Sequence, residues 1–432
     1  MSNLQKTAEF ALEQLKKAGA DGAGVSVSNG QTDEINVDAG KFSLMRTTFN
    51  SMLNVKAIVG GRKGTATTNR LDDAAIVQAA QNAVDAAKSA RPDEAEGIAE
   101  DAGVHSFCDG PTEIDREKLF DRARELVDTV NCEYPKVGLE QFITDFKHVD
   151  IMYLNSNGTQ ASISHGGYKT SLMFSAREGD ITSSFNGAGA ATRDLDTPFI
   201  DLATTRTLIA ESERQIHTKA VEGKFTAPVL VTPNALAELL DSIFENCLSD
   251  GAIIDKVSPW INKLQQTVAD KNFTMSVNSL DNRMVFGERV TADGYISADY
   301  DVIRDGVLKS FALSRYGAKK SGFARAANTS GSVVIKAGDF SVAELTRKAG
   351  RGLLLNRFSG GAPSPNGDFS GVAKNSFLIE NGIVTDAVSE TMISGNLLTM
   401  LNNIIGISRE IIADGVTVLP WILFDGVTIS GK

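Results

Sequence analysis

Residues 229–248 read VLVTPNALAELLDSIFENCL, and they divide the chain in two. Val229-Leu230-Val231 is a continuous apolar run of the kind a fully buried strand carries. Leu236, Leu239, Leu240, Ile243, Phe244, Cys247 and Leu248 follow at i, i+3, i+4, i+7, i+8, i+11 and i+12, the stripe of an amphipathic helix. Glu238, Asp241, Ser242 and Glu245 fall on the opposite face and need solvent or a partner, so this face is expected to turn toward a cavity. Beyond the helix come mostly short strands and turns, with Asn381-Gly382 and Asp425-Gly426 as hairpin signals. One helix there opens on the capping box Ser341-Val342-Ala343-Glu344, and a short apolar helix spans about Leu397 to Ile405.

Upstream, Ala8, Ala11, Leu12 and Leu15 place a helix from about Leu4 to Ala18. Gly24-Val25-Ser26-Val27, Ile35-Asn36-Val37 and Met52-Leu53-Asn54-Val55 alternate like strands. Asn29-Gly30, Ala39-Gly40 and Gly60-Gly61 punctuate them, which predicts an antiparallel meander. Asp72 is the expected N-cap of a helix through Ala90. Residues 91–111 lack periodicity and read as a linker. Further helices are expected from about Asp115 to Val130 and from Asp201 to Lys219, with a hairpin turned by Asn155-Ser156-Asn157-Gly158 between them. Strands and helices do not alternate as in a parallel βαβ sheet, so the fold class is α+β. It comprises an N-terminal domain of meander plus helices over residues 1–222, with a sub-boundary within 91–111, and a β-rich C-terminal domain over 223–432.

Composition narrows the function. Net charge is −11, and the short basic cluster Arg62-Lys63 sits in a glycine-flanked turn. Direct nucleic-acid binding, which rests on phosphate neutralisation, is therefore not expected. No run approaches the ~20 apolar residues that cross a bilayer. The first residues lack the apolar core of a signal peptide. Cys108, Cys132 and Cys247 are odd in number and far apart, which is neither a disulfide framework nor a CxxC metal site. The expected compartment is the cytoplasm.

The residues by themselves write no active site. His105, His148, His165 and His217 are the four histidines, and none lies within five residues of another, so no paired-histidine zinc motif exists. No G-x-S-x-G elbow and no phosphate loop occurs. The expectation is no catalytic residue and no metal ligand set in this chain.

The C-terminal third resembles the TldD/PmbA (TldE) peptidase family, also known as modulators of DNA gyrase. The resemblance is carried by Gly367-Asp368-Phe369-Ser370-Gly371, Ser376-Phe377-Leu378-Ile379-Glu380-Asn381-Gly382, Val388-Ser389-Glu390-Thr391-Met392-Ile393-Ser394-Gly395-Asn396-Leu397 and Phe424-Asp425-Gly426-Val427-Thr428-Ile429-Ser430-Gly431-Lys432. Within this run Asp368, Gly371 and Asn396 are candidate groove residues. The family's catalytic members carry HExxxH on the helix that follows the first strand of the C-terminal domain. Histidines five apart stand about 140° apart on a regular helix, so such a site needs a distorted turn or a further ligand. Here Asp241, Ser242 and Asn246 occupy those positions. The resemblance thus implies the branch without HExxxH. Such a chain is a metal-free subunit whose zinc resides in a TldD-like partner, and the substrates are unfolded peptides. A non-enzymatic peptide-binding or regulatory homodimer is the other reading.

Overall fold

The computed structural model describes residues 3–432. Helix α1 (Asn3–Ala18) leads into three antiparallel strands, β1 (Gly22–Asp38), β2 (Lys41–Val59) and β3 (Arg62–Thr68), then helix α2 (Asp73–Ser89). Strand β4 (Gly103–Asp109), helix α3 (Arg116–Glu133), β5 (Val137–Asn155), β6 (Thr159–Glu178), β7 (Ile181–Thr182) and β8 (Asn186–Thr192) complete one sheet. Its order is β3-β2-β1-β5-β6-β4, with β7 and β8 on β6. Helix α4 (Thr205–Arg214) follows. Two apolar clusters bury the helices on this sheet. Ala8, Ala11, Leu15, Ile76 and Ala80 pack on Val25, Val27, Leu53 and Val55, while Leu119, Leu126 and Leu208 pack on Ile35, Val37, Phe142 and Phe146.

The second sheet has fourteen strands, all from residue 219 onward. Its strand 224–231 pairs parallel with 352–355 and antiparallel with 418–430. Alternate side chains explain the continuous apolar run: Val229 and Val231 face one cluster, and Leu230 faces another with Leu345, Phe377 and Leu423. Helix α5 (Pro233–Ile243) leaves this strand directly, opened by Pro233 at its first turn, and buries Leu236, Leu239, Leu240 and Ile243 in the first cluster. The architecture is α+β with a strand-rich C-terminal half.

Several local expectations hold. Asp72 Oδ1 accepts the Ala75 N–H at 3.1 Å, the Ser341–Glu344 capping box forms, and Ala39-Gly40, Gly60-Gly61 and Asn381-Gly382 turn with positive φ. Others are corrected. Asn29-Gly30 is not a turn; β1 runs straight through it, because both edges of that strand are paired, Gly30 with Asn50 and with Val149. Two ladders outweigh one local turn preference. Asp425-Gly426 is not a hairpin but a bulge inside strand 418–430, where Ala227 pairs Val427 and Val229 pairs Phe424, with Gly426 at φ 80. The helix expected over 201–219 shortens to α4 because Ala203, at φ 49, turns the chain before it. The apolar helix after Asn396 ends at Asn402. Part of the stretch read as linker, 103–109, is strand β4, paired parallel with β6.

The remainder of that stretch is a strap tied to the C-terminal half by charge. Arg315 Nη2 lies 3.0 Å from Glu100 and its Nη1 donates to the Ala95 carbonyl at 2.8 Å. Lys320 Nζ lies 2.8 Å from Asp93, and the Tyr295 hydroxyl donates to Glu100. On the same side, Gly64 lets β3 lie directly against α2: a Cβ there would stand 2.0 Å from the Ala83 oxygen and 2.3 Å from the Ala87 nitrogen. Both are backbone atoms and cannot swing aside. Gly64→Ala is expected to lower stability by about 1–3 kcal/mol through overpacking. Urea unfolding checks this, with a lower midpoint at unchanged slope.

Candidate functional site

Helix α5 buries one face and turns Asn234 and Glu238 toward the first sheet, while Asp241 and Ser242, further along the helix, line no part of the cavities there. Between the outer edge of β8, its neighbour β6 and α5 lies a cavity of about 420 Å³, lined by Ser171, Gly187, Gly189, Asn234, Glu238 and Asp414 among others. A second, of about 320 Å³, continues past Phe185, Asn186, Asn356 and Arg357. Both share Leu172, Gly187, Asn234 and Glu238, so they form one cleft with Glu238 at its middle. The Ala191 N–H donates to the Asp414 carbonyl at 2.7 Å and closes one end. Glu238 keeps exposed area yet is crowded by the cleft walls. Desolvation pushes its carboxyl above the usual range, and the Asp241 charge adds to that. The Phe358 amide and the Arg357 guanidinium pull the other way. Desolvation also raises Asp241.

The helix changes character where the candidate positions sit. Asp241 and Ser242 are on the last regular turn, and Phe244–Leu248 is a π turn. An i→i+5 turn draws residues five apart toward one face, which a regular helix does not do. Such turns recur at functional sites. Asn246, inside the π turn, donates its Nδ2 to the Pro363 carbonyl at 3.1 Å. Cys247 is buried against the apolar cluster and its thiol is pushed up to about 12 by desolvation, so it is a packing residue and not a nucleophile.

Pro363 belongs to the loop 360–367, which joins strand 357–359 to strand 368–374. Asp368 and Asn396 stand directly opposite each other on paired strands. Asn396 Nδ2 donates to Asp368 Oδ1 at 2.8 Å, while its Oδ1 caps the following helix by accepting the Thr399 N–H at 3.0 Å. Gly371 is needed for contact with its own loop, since a Cβ there would meet the Gly360 oxygen at 2.1 Å. The structure therefore links the two sets of candidates through one loop. Asn246 touches it, and Asp368, Gly371 and Asn396 hold its base. Asp368, Gly371 and Asn396 line neither part of the cleft. Sequence reading singled out Glu238 for its helix face, but missed Asn234, Asp414 and Arg357. Arg357 and Asp414 come from distant segments and carry no local signal.

Zinc is held by imidazole, thiolate or carboxylate groups at ~2.0–2.3 Å. Asp241, Ser242 and Asn246 offer one carboxylate, one hydroxyl and an amide already engaged with Pro363. These residues do not fit a zinc ion. Among the described residues no three His, Cys, Asp or Glu side chains gather within ligating reach.

Two sheets closing on a helix-lined cleft define a scaffold that comparison with known proteins identifies. The description "PmbA/TldA metallopeptidase C-terminal domain" matches residues 223–431, and "PmbA/TldA metallopeptidase domain 1" matches residues 23–87. The chain belongs to the PmbA/TldD metallopeptidase family. It is 27% identical over 429 residues to metalloprotease PmbA of Escherichia coli O157:H7, covering 94% of this chain and 92% of that protein. A Haemophilus influenzae PmbA homologue is 24% identical over 445 residues, covering 99% and 96%. TldE from Thermococcus kodakarensis superposes with a TM-score of 0.85 at 19% identity, covering 98% of this chain and 100% of that one. A Bacteroides thetaiotaomicron protein described as a modulator of DNA gyrase gives 0.88 at 21% identity, covering 100% of both. At those identities the structures speak for the fold alone. No helix among the described residues is long and apolar enough to cross a membrane.

The contact between Asn246 and Pro363 has a measurable consequence. Asn246→Ala removes the hydrogen bond from the π turn to the loop, and amide exchange over 360–367 is expected to accelerate about tenfold or less, the range of one modest hydrogen bond. Exchange in β1 and β5 serves as the unchanged control. An unaltered loop would show that Asn246 does not hold it.

Proposed function

We propose that this chain is a metal-free, PmbA/TldE-like subunit of a zinc peptidase of the TldD/TldE type, acting in the cytoplasm on unfolded peptides. One observation carries the reading. Asn234 and Glu238 of α5 line the inter-sheet cleft and the same helix runs on into a π turn, while Asp241, Ser242 and Asn246, which line neither part of the cleft, fall by sequence register where the family's catalytic members have HExxxH.

Hydrolysis of a peptide by zinc needs a polarised water and a general base, usually the glutamate beside the first histidine. This chain has Ser242 at that position. Its own residues are suited to walling and holding a substrate. The outer edge of β8 around Ala188–Ala190, between the N–H groups of Gly187 and Ala191 that Asn186 and Asp414 take up, is built of small residues beside the cleft, and an extended peptide pairs with such an edge through sequence-independent backbone hydrogen bonds. Glu238 and Asp414 add negative charge to the same wall. A TldD-like, HExxxH-bearing partner supplies the metal and the base.

Mixing the purified chain with its HExxxH-bearing relative, with an unstructured peptide as substrate, tests this. The chain alone is expected to be inactive, and the mixture active and sensitive to chelation. Chelator-resistant cleavage by this chain alone would overturn the proposal. Absence of activation on mixing would favour the non-enzymatic peptide-binding reading.

A further inference from the structure

Val25, Val27, Leu53 and Val55 turn to helices α1 and α2. Gly24, Ser26 and Lys56, which alternate with such residues along β1 and β2, therefore lie on the opposite face of the first sheet. The strap and the turn at 291–294 roof part of that face. A Cβ at Gly22 would stand 3.1 Å from Ile98, and one at Gly294 would stand 1.9 Å from the Tyr153 hydroxyl. Under this roof a cavity of about 250 Å³ remains, lined by Gly24, Ser26, Lys56, Thr65, Tyr153 and Asp293 among others.

Lys56 stands in the cavity without a partner. Among the described residues its Nζ makes no hydrogen bond and no ion pair. The carboxylates nearby are taken up by others: Glu96 by Lys63 at 2.5 Å, and Asp293 by the Thr291 hydroxyl and by the Arg315 N–H at 2.6 Å. Desolvation draws the Lys56 ammonium below the usual lysine range. The Glu96 and Asp293 charges oppose this, and those of Lys63 and Arg315 add to it. Lys56 pairs directly with Gly24, whose missing side chain lets Tyr153 reach across β1 from β5. A Cβ at Gly24 would be 3.6 Å from the Tyr153 hydroxyl oxygen and 4.0 Å from Lys56 Cβ, so phenol and lysine flank one point. Desolvation raises the Tyr153 phenol, which keeps its proton at neutral pH.

We propose that Lys56 captures a small aldehyde in this cavity as a reversible imine, with Tyr153 hydrogen-bonding the carbonyl oxygen. A buried lysine without a partner is the kind that forms such bonds. The uncharged Nζ attacks the carbonyl carbon and the C–N bond forms, while the Tyr153 hydroxyl protonates the oxygen. The carbinolamine then expels that oxygen as water and the C=N bond closes. In net the two amine protons leave with the water and the phenol is restored, so no oxidant or reductant is required. The free hydroxyls of Ser26 and Thr65 on the wall suit a polar aldehyde. The inference rests on this cavity and is independent of the peptidase reading.

Reductive labelling of the full chain with glycolaldehyde and cyanoborohydride near neutral pH, read by peptide mass mapping, tests it. Lys56 is expected to label several-fold faster than the exposed Lys6 and Lys271. Its rate is expected to level off at glycolaldehyde concentrations where theirs still rise linearly. Tyr153→Phe is expected to slow labelling at Lys56 alone, and Lys56→Arg to abolish the fast phase without changing the melting temperature. A wild-type Lys56 that labels no faster than Lys6 and Lys271, or without levelling off, would overturn the proposal. So would undiminished labelling at Lys56 in a Tyr153→Phe chain that melts like the wild type.

Discussion

Helix α5 is held by the burial of Leu236, Leu239, Leu240 and Ile243 against the strand that precedes it. Each such side chain is worth about 1.5–3 kcal/mol when taken fully out of water. That burial fixes the helix's rotation about its own axis. Asn234, Ala237 and Glu238 are then forced toward the space beside β6 and β8, while a strap at Asp93 and Glu100 ties the two halves by charge elsewhere.

The π turn follows from competition on the same helix. The apolar stripe continues to Cys247 and Leu248, which are buried, while Asn246 reaches sideways to the Pro363 carbonyl. Widening the helix by one residue satisfies both demands. Here the widened turn holds a loop.

Much of the fold was legible because it rests on local periodicity. The α5 stripe, the Asp72 cap, the Ser341–Glu344 box and the tight turns at 39–40 and 60–61 all act within a few residues. What was illegible depends on partners far away in the chain. Asn29-Gly30 has the chemistry of a turn, yet β5, more than a hundred residues later, completes a ladder that holds it extended. The bulge at Asp425-Gly426 likewise makes sense only beside strand 224–231. The cleft was half legible. Glu238 could be assigned to a polar face, but Ser171, Arg357 and Asp414 arrive from three separate segments. Nothing in the spacing of the matching run showed that Asp368 and Asn396 would bind each other across a strand pair instead of lining a groove.

The central proposal is that Asp241, Ser242 and Asn246 stand at the register of a zinc site without forming a ligand set. Elemental analysis of the purified, metal-replete chain, followed by calorimetric zinc titration, tests it most directly. The expected result is well under one zinc per chain and no tight binding, since one carboxylate, one hydroxyl and one engaged amide make no zinc ligand set. One tightly held zinc per chain, lost on substitution of Asp241, would contradict it.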